Sequence, residues 1–287
     1  MKNLLLVLLL ALSGAHLSAA DLIEVDIELE EKFYVPGENI SAKLVIFNNS
    51  GRDFVTGHFP GWLYLYIKDQ AGGEVKSDRP ITLVYRFVVP HNKQVKRTIN
   101  LGEFFDFEKT GAFSIQPVVR MGPDGQWQPG HRRLFDIVTP ATVTEQAFAV
   151  RPPDGEVQTG VYTIQRLTRN RHTVFVKVSK RSDGKIIDVV NLGTIAAFTQ
   201  KVETQLNRLG FLHTLHQSGA QTIKHHIISP NGKLVARETY TRYGGRRPRL
   251  VPNAEGRIQV VDAVPNKAKD DIPILRAIDP SKLASDK

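Results

Sequence analysis

Four histidines, His213, His216, His225 and His226, form the cluster in this 287-residue chain best able to hold a metal, because the sequence has no cysteine and so no thiolate ligand. If Ser218-Gly219-Ala220 closes a hairpin, His213 and His225 fall on facing positions of neighbouring strands, close enough to share an ion. His213 and His216 are three residues apart, so on a strand they point to opposite faces, and no carboxylate lies near them in sequence. The pair is the nearest the chain comes to a metal site. Structural or surface histidines are the commoner use of such residues, and no metal or other cofactor is expected.

The densest basic run, Tyr243-Gly-Gly-Arg-Arg-Pro-Arg249, offers the guanidinium groups of Arg246, Arg247 and Arg249 for bidentate contact with phosphate, sulfate or carboxylate. Trp127 sits in the turn-rich stretch Asp124-Gly-Gln-Trp-Gln-Pro-Gly130, where its ring could stack on a sugar or cover the end of a domain. No Gly-x-Ser-x-Gly elbow, His-Glu-x-x-His, phosphate-binding glycine loop or helix-loop-helix calcium loop is present. The chain therefore reads as a non-catalytic binding or scaffolding protein, with no catalytic residues to name. The alternative is an accessory or hydrolytic cell-envelope enzyme acting on polysaccharide, since glycosidase carboxylates need no fixed local spacing.

The compartment in which these residues would work is read from the first twenty. Lys2 supplies a positive start, Leu4 to Leu12 an apolar core, and Ser18 and Ala20 the small side chains of a cleavage site. Residues 1–20 are expected to be a secretory leader, which places the mature chain, from near Asp21, in the periplasm or outside the cell. The apolar run is much shorter than the ~20 residues of a transmembrane helix, and no later segment reaches that length. Without disulfides, stability must come from buried apolar surface and sheet hydrogen bonds.

Charge divides the chain. Residues 21–150 carry 14 Lys and Arg against 17 Asp and Glu, a balance of −3, whereas residues 151–264 carry 18 against 8, a balance of +10. Long-range attraction to an anionic partner therefore belongs to the second half. The expected partner is a protein or an anionic polysaccharide or lipid; nucleic acid is a poorer candidate for an exported protein.

The elements that must position these residues are strands. Between Leu22 and Val150, seven segments alternate or are rich in β-branched and aromatic residues: 22–30, 40–48, 62–68, 81–89, 95–101, 112–120 and 142–150. In the first, Ile23, Val25, Ile27 and Leu29 alternate with four carboxylates, which demands one buried face. Pro36-Gly37, Asn49-Ser50-Gly51, Ala71-Gly72-Gly73 and Pro123-Asp124-Gly125 supply the turns. Tyr34-Val-Pro-Gly-Glu-Asn-Ile40 leading into Leu44-Val-Ile-Phe-Asn48, and Thr110-Gly-Ala-Phe-Ser-Ile115, resemble the second and sixth strands of bacterial immunoglobulin-like domains over about 110 residues. The resemblance implies an immunoglobulin-like β-sandwich over 21–150 with Trp62 as its core tryptophan, and it says little of function, because such domains bind proteins, bind sugars or act as spacers.

Arg151-Pro-Pro-Asp-Gly155 marks the expected boundary, and a basic β-repeat domain follows over 151–264. Strands open at Gly160, Gly210 and Gly256, spaced 50 and 46 residues apart. His172 to Val190 aligns with Gln221 to Tyr240, the two hairpins closing on Asp183-Gly184-Lys185 and Asn231-Gly232-Lys233. The stretch 209–217, with 222–228 and 230–234, resembles the first three strands of a β-propeller blade. Two repeats and a closing strand are fewer than the four or more blades of a closed propeller, so the unit is either a small domain of two blade-like sheets or one completed by association. Ile195, Phe198, Val202, Leu206 and Leu209 recur at helical spacing between Thr194 and Gly210, so 194–209 stays open between helix and loop. Residues 265–287 are expected to be a flexible tail. The fold class is all-β.

Overall fold

The structure, a computed structural model, describes residues 23–59, 61–77, 81, 86–120, 125–151, 155–169, 171–196 and 201–273; the expected leader lies outside them. It is all-β, and the helical element among the described residues is a three-residue 3-10 turn at Leu101–Glu103. No helix among these residues is long and apolar enough to cross a membrane. Backbone contacts divide the chain into two compact units. The first takes the described residues up to Tyr34 together with Ile40–Ile137, and the second takes Val35–Asn39 together with those from Val138 onward.

The first unit contains β1 (Ile23–Leu29), β2 (Phe33–Tyr34), β3 (Ser41–Asn48), β4 (Phe54–Val55), β5 (Leu63–Asp69), β6 (Val88–Val89), β7 (Lys93–Asn100), β8 (Gly111–Arg120), β9 (Trp127–Pro129) and β10 (Arg133–Ile137). They form a three-stranded sheet β1-β3-β7, a five-stranded sheet β2-β10-β8-β5 with β9 on β8, and the small pair β4-β6. Alternation does what it must: Ile23, Val25 and Ile27 are buried with Leu44, Leu65, Ile67, Ile115 and Phe135 in one apolar core, while Glu24 is exposed. Trp62 is buried in that core, edge-on to Phe87.

Two of the expected strands are placed differently. The segment 142–150 is not the seventh strand of this unit; it lies in β11 (Ala141–Val150), paired along its length with β12 (Gln158–Thr168) of the second unit. The strand that occupies the place is β10, which runs antiparallel to β8 and parallel to β2. Its sequence carries little strand signal, because Phe135 and Ile137 are its only buried side chains, flanked by Arg132 and Arg133. In the expected strand 81–89, Val88–Val89 is extended and 82–85 lie outside the described residues.

The second unit repeats. β11, β12, β13 (His172–Lys180) and β14 (Ile186–Thr194) form an antiparallel meander, and β15 (Glu203–Leu206), β16 (Leu212–Gln217), β17 (Thr222–Ile228) and β18 (Leu234–Arg242) form another in the same order. These are small, blade-like sheets, and Asp183-Gly184 and Asn231-Gly232 occupy the connection between the third and fourth strand in each. Gly184 and Gly232 both have positive φ, +70° and +85°, which glycine adopts without steric cost. In the second turn Gly232 N–H donates to Ser229 O at 2.9 Å, with Pro230 at the position where a fixed φ is favoured. β19 (Arg249–Pro252) pairs with β20 (Ile258–Val261), and β21 (Ala263–Pro265) adds to β18. A shared core of Phe148, Tyr162, Val176, Leu192, Leu212 and Ile228 joins the two meanders.

The segment 194–209 is not helical where it is described. Its second half is β15 followed by a turn at Asn207–Gly210, and 197–200 lie outside the described residues. Ile195 and Val202 are buried and Leu206 partly so, but as loop and strand positions, and Leu209 is exposed, so the helix-like spacing reflects burial from separate directions. Residues beyond Pro265 are tied down as far as they are described: Arg237 and Ile272 exchange two backbone hydrogen bonds, and Lys224 reaches Asp270 and Asp271.

Candidate functional site

The sheet β15-β16-β17-β18 positions nearly every residue of chemical interest in the second unit. Its strands alternate, so one face presents Glu203, Gln205, His213, Leu215, Ile223, His225, Glu238 and Tyr240, and the other presents Thr214, His216, Lys224 and His226.

On the first face, Leu215 and Ile223 pack against Leu250 of β19. Beside this apolar floor opens a pocket of about 310 Å³, lined by Lys201, Glu203, Leu215, His216, Gln217, Ile223, Arg242, Arg247 and Pro248. Three cations and one carboxylate surround it. Glu203 is engaged, accepting the Leu250 N–H at 2.8 Å. The guanidinium groups are held by carbonyls rather than carboxylates: Arg242 donates to the oxygens of Gly245 and Arg246 at 3.1 and 3.3 Å, and Arg247 to that of Lys201 at 3.4 Å. Carbonyls orient these groups without cancelling their charge, so the pocket stays cationic.

The arginine run is thereby divided. Arg247 faces the pocket, whereas Arg246 and Arg249 approach Asp262 at 3.7 and 3.5 Å and remain largely exposed. Lys201 and Arg242, not singled out from the sequence, complete the site. Arg242 stands next to the run, but nothing in the sequence around Lys201 marks it.

The histidines form two diagonal pairs on opposite faces. His213 lies directly across from Ile227 and His225 from Leu215, so the two rings meet diagonally, two residues out of register rather than face to face, with Nδ1 of His213 3.1 Å from Nε2 of His225. The carboxylate that the local sequence lacks comes from the next strand, where Glu238 stands opposite His225 and meets its Nδ1 at 3.1 Å. Tyr240 donates to the same carboxylate oxygen at 2.8 Å. An ionised carboxylate can only accept, so His225 Nδ1–H donates to Glu238. Burial, then the His225 ring, pushes His213 down to about 3. Burial works to raise Glu238, but hydrogen bonds from His225 and Tyr240 keep its carboxyl below the ordinary value. Among the described residues no group of three or more His, Asp or Glu is arranged to hold a metal ion.

On the other face His216 and His226 stack, centroids 5.4 Å apart and planes within 7°. Both are buried, and among the described residues no hydrogen bond of normal geometry reaches their ring nitrogens or the Thr214 hydroxyl. Burial drives His216 down to about 4, with the Thr194 backbone offsetting part of the effect, and His226 well below its ordinary value. These rings are core elements held neutral.

Trp127 lies in the first unit, at the start of β9, 46% exposed, with the Arg120 guanidinium 5.3 Å from its ring centre. No family model matches the chain, and no curated protein matches it. Among solved structures, the sporulation control protein Spo0M from Bacillus subtilis aligns with 60% of this chain and 89% of its own length, at 10% identity and a TM-score of 0.27, a likeness too loose to carry any inference.

Proposed function

We propose that this is a secreted, non-catalytic binding protein of the cell envelope that recognises an anionic group, a carboxylate, sulfate or phosphate borne by its partner, in the pocket of the second unit. The observation that carries this reading is the arrangement of Lys201, Arg242 and Arg247 around an apolar floor, with both guanidinium groups pinned by backbone carbonyls. A preoriented cation loses little entropy on meeting an anion, and partial enclosure strengthens the attraction. Glu203 is the one carboxylate lining the pocket and is already engaged, which favours binding over the paired-carboxylate hydrolysis of polysaccharide. The charge balance of +10 over residues 151–264 would steer such a partner toward this half.

We read the first unit as an immunoglobulin-like sandwich. Support comes from its two sheets over one core, a buried Trp62, and strand orders β1-β3-β7 and β2-β10-β8-β5, in which β2 joins β10 in parallel. Export, to the periplasm or beyond, rests on Lys2, the leucine-rich run and Ser18-Ala-Ala20.

Heparin-column retention of the full chain tests the pocket. The parent should be retained at low salt and released as salt rises, and Arg242→Ser with Arg247→Ser should elute at clearly lower salt. Retention unchanged in that double variant would refute the assignment.

A further inference from the structure

A surface of the first unit carries chemistry that the pocket does not use. Along β5, Leu63, Leu65 and Ile67 enter the core, which leaves Tyr64, Tyr66 and Lys68 on the outer face. The register with β8 sets Tyr66 across from Gln116, and β9 extends the same face by placing Trp127 across from Arg120. Three large aromatic side chains are thus 40, 41 and 46% exposed (Tyr64, Tyr66 and Trp127) on one side of one sheet. Successive same-face rows lie roughly 7 Å apart, so Tyr66 and Trp127, two rows apart, span roughly 14 Å along the strands. A groove of about 290 Å³ runs beside Tyr66, with Lys68, Gln116 and Arg132 among its walls.

We propose that this face binds an acidic oligosaccharide, its sugar rings lying on Tyr66 and Trp127 and its carboxylate or sulfate groups meeting Lys68 and Arg132. The C–H faces of a pyranose are apolar and slightly positive, which suits the electron-rich face of an aromatic ring, and rigid rings lose little entropy on contact. Both platforms are held in place. Arg120 backs the Trp127 ring at 5.3 Å, and Tyr64, 4.4 Å from Tyr66 between centroids, is fixed by its 2.7 Å hydrogen bond to Glu74.

Charge selects the occupant. Three cations of this unit are paired, Lys43 with Glu30, Lys96 with Glu28 and Arg133 with Asp26. Lys68 and Arg132, by contrast, make no ion pair among the described residues while lining the groove. A neutral glycan would leave both cations unanswered. A protein partner would be expected to bury more apolar surface than these spaced rings offer. This face belongs to the first unit and the cationic pocket to the second, and the proposal stands whether or not that pocket binds anions.

Calorimetric and fluorescence titration of the full chain with tetragalacturonic acid and with a heparin tetrasaccharide tests it, against neutral galactotetraose and inorganic sulfate. Of the two tryptophans, Trp62 is buried, so Trp127 reports on the face. At least one acidic tetrasaccharide should shift the emission and protect it from iodide, while sulfate and the neutral tetramer should not. Tyr66→Ala and Trp127→Ala should each weaken binding roughly tenfold by calorimetry, Trp127→Phe should retain most of it, and Lys96→Ser, a cation of the same unit paired elsewhere, should leave it unchanged. No emission change with either acidic probe, equal binding of the neutral tetramer, or affinity within twofold of the parent in both alanine variants would overturn the proposal. Affinity lost in Arg247→Ser alone would also overturn it and assign the binding to the pocket.

Discussion

Tyr162, buried in β12, donates its hydroxyl to the carbonyl of Gly210, 2.9 Å away, the residue from which the central strands of the second blade-like sheet begin. Gly210 has a φ of +76°, and a Cβ there would overlap Val150, so this carbonyl is presented in a conformation open to glycine alone. One side chain of the first repeat thereby satisfies the backbone at the entry to the second. Removing the hydroxyl in Tyr162→Phe strands a buried acceptor, and the expected cost is about 1–3 kcal/mol. Urea denaturation should show an earlier transition with an unchanged slope. An unshifted midpoint would mean that the bond contributes nothing net.

Acid should destabilise the second unit. His213, His216 and His226 are neutral in the folded chain and have lowered values, about 3 and about 4 for the first two, against 6.5 when unfolded. The unfolded chain therefore binds more protons below pH 6.5. This stability is fully present above 6.5 and is lost as pH falls toward 4 and 3. Glu38 opposes the trend: burial, only partly offset by the Val35 N–H and the Asn191 amide, raises it from 4.5 to about 7, so its contribution is present below 4.5 and lost as pH rises through 7. Asp188, also raised by burial, acts in the same direction as Glu38, and three histidines against these two carboxylates leave a net loss on acidification between pH 6.5 and 4.5, on the order of 1 kcal/mol per pH unit for each uncompensated proton. Melting temperatures at pH 7 and pH 5 check the sign, and a higher value at pH 5 would contradict it.

The two repeat turns should respond unequally to substitution. Gly184 and Gly232 share a positive φ, but space around Gly184 is open, whereas a Cβ at Gly232 would overlap the Asp188 side chain of β14. Gly184→Ala should therefore cost about 1–2 kcal/mol, the left-handed penalty alone, and Gly232→Ala distinctly more, since Asp188 must also move. Equal losses in paired denaturation curves would mean that Asp188 yields freely.

Within the arginine run, position rather than charge should decide binding. Arg247→Ser removes a cation that faces the pocket, whereas Arg246→Ser and Arg249→Ser remove exposed partners of Asp262. Exposed pairs are worth little, so each of the latter should shift salt elution from heparin only slightly. The single Arg247 variant should shift it most. An identical shift for all three would reduce the run to net charge.

Alternation in β1, β3 and β5 made the sandwiched faces legible, because a strand with one buried side must place apolar residues at every second position. The turn glycines at 184 and 232 were legible for a similar reason: positive φ is a local demand. The charge split between the halves and the absence of cysteine are likewise properties of composition. Which strands pair was not legible. β10 carries too few apolar residues to stand out, and β11 reads equally well as the end of the first half, until its pairing with β12 assigns it. The histidine pair shows the limit most clearly, for His213 and His225 could be matched from a hairpin, yet their register, and the arrival of Glu238, depend on how three strands align. Lys201, Arg242 and Arg247 meet for the same reason, across a gap of more than forty residues. Alternation, turns and charge belong to the sequence because each is set within a few residues of backbone. The pocket and the polar relay belong to the tertiary structure, because cross-strand register is fixed by the whole buried face at once and one residue of slip would turn every one of these side chains to the other side.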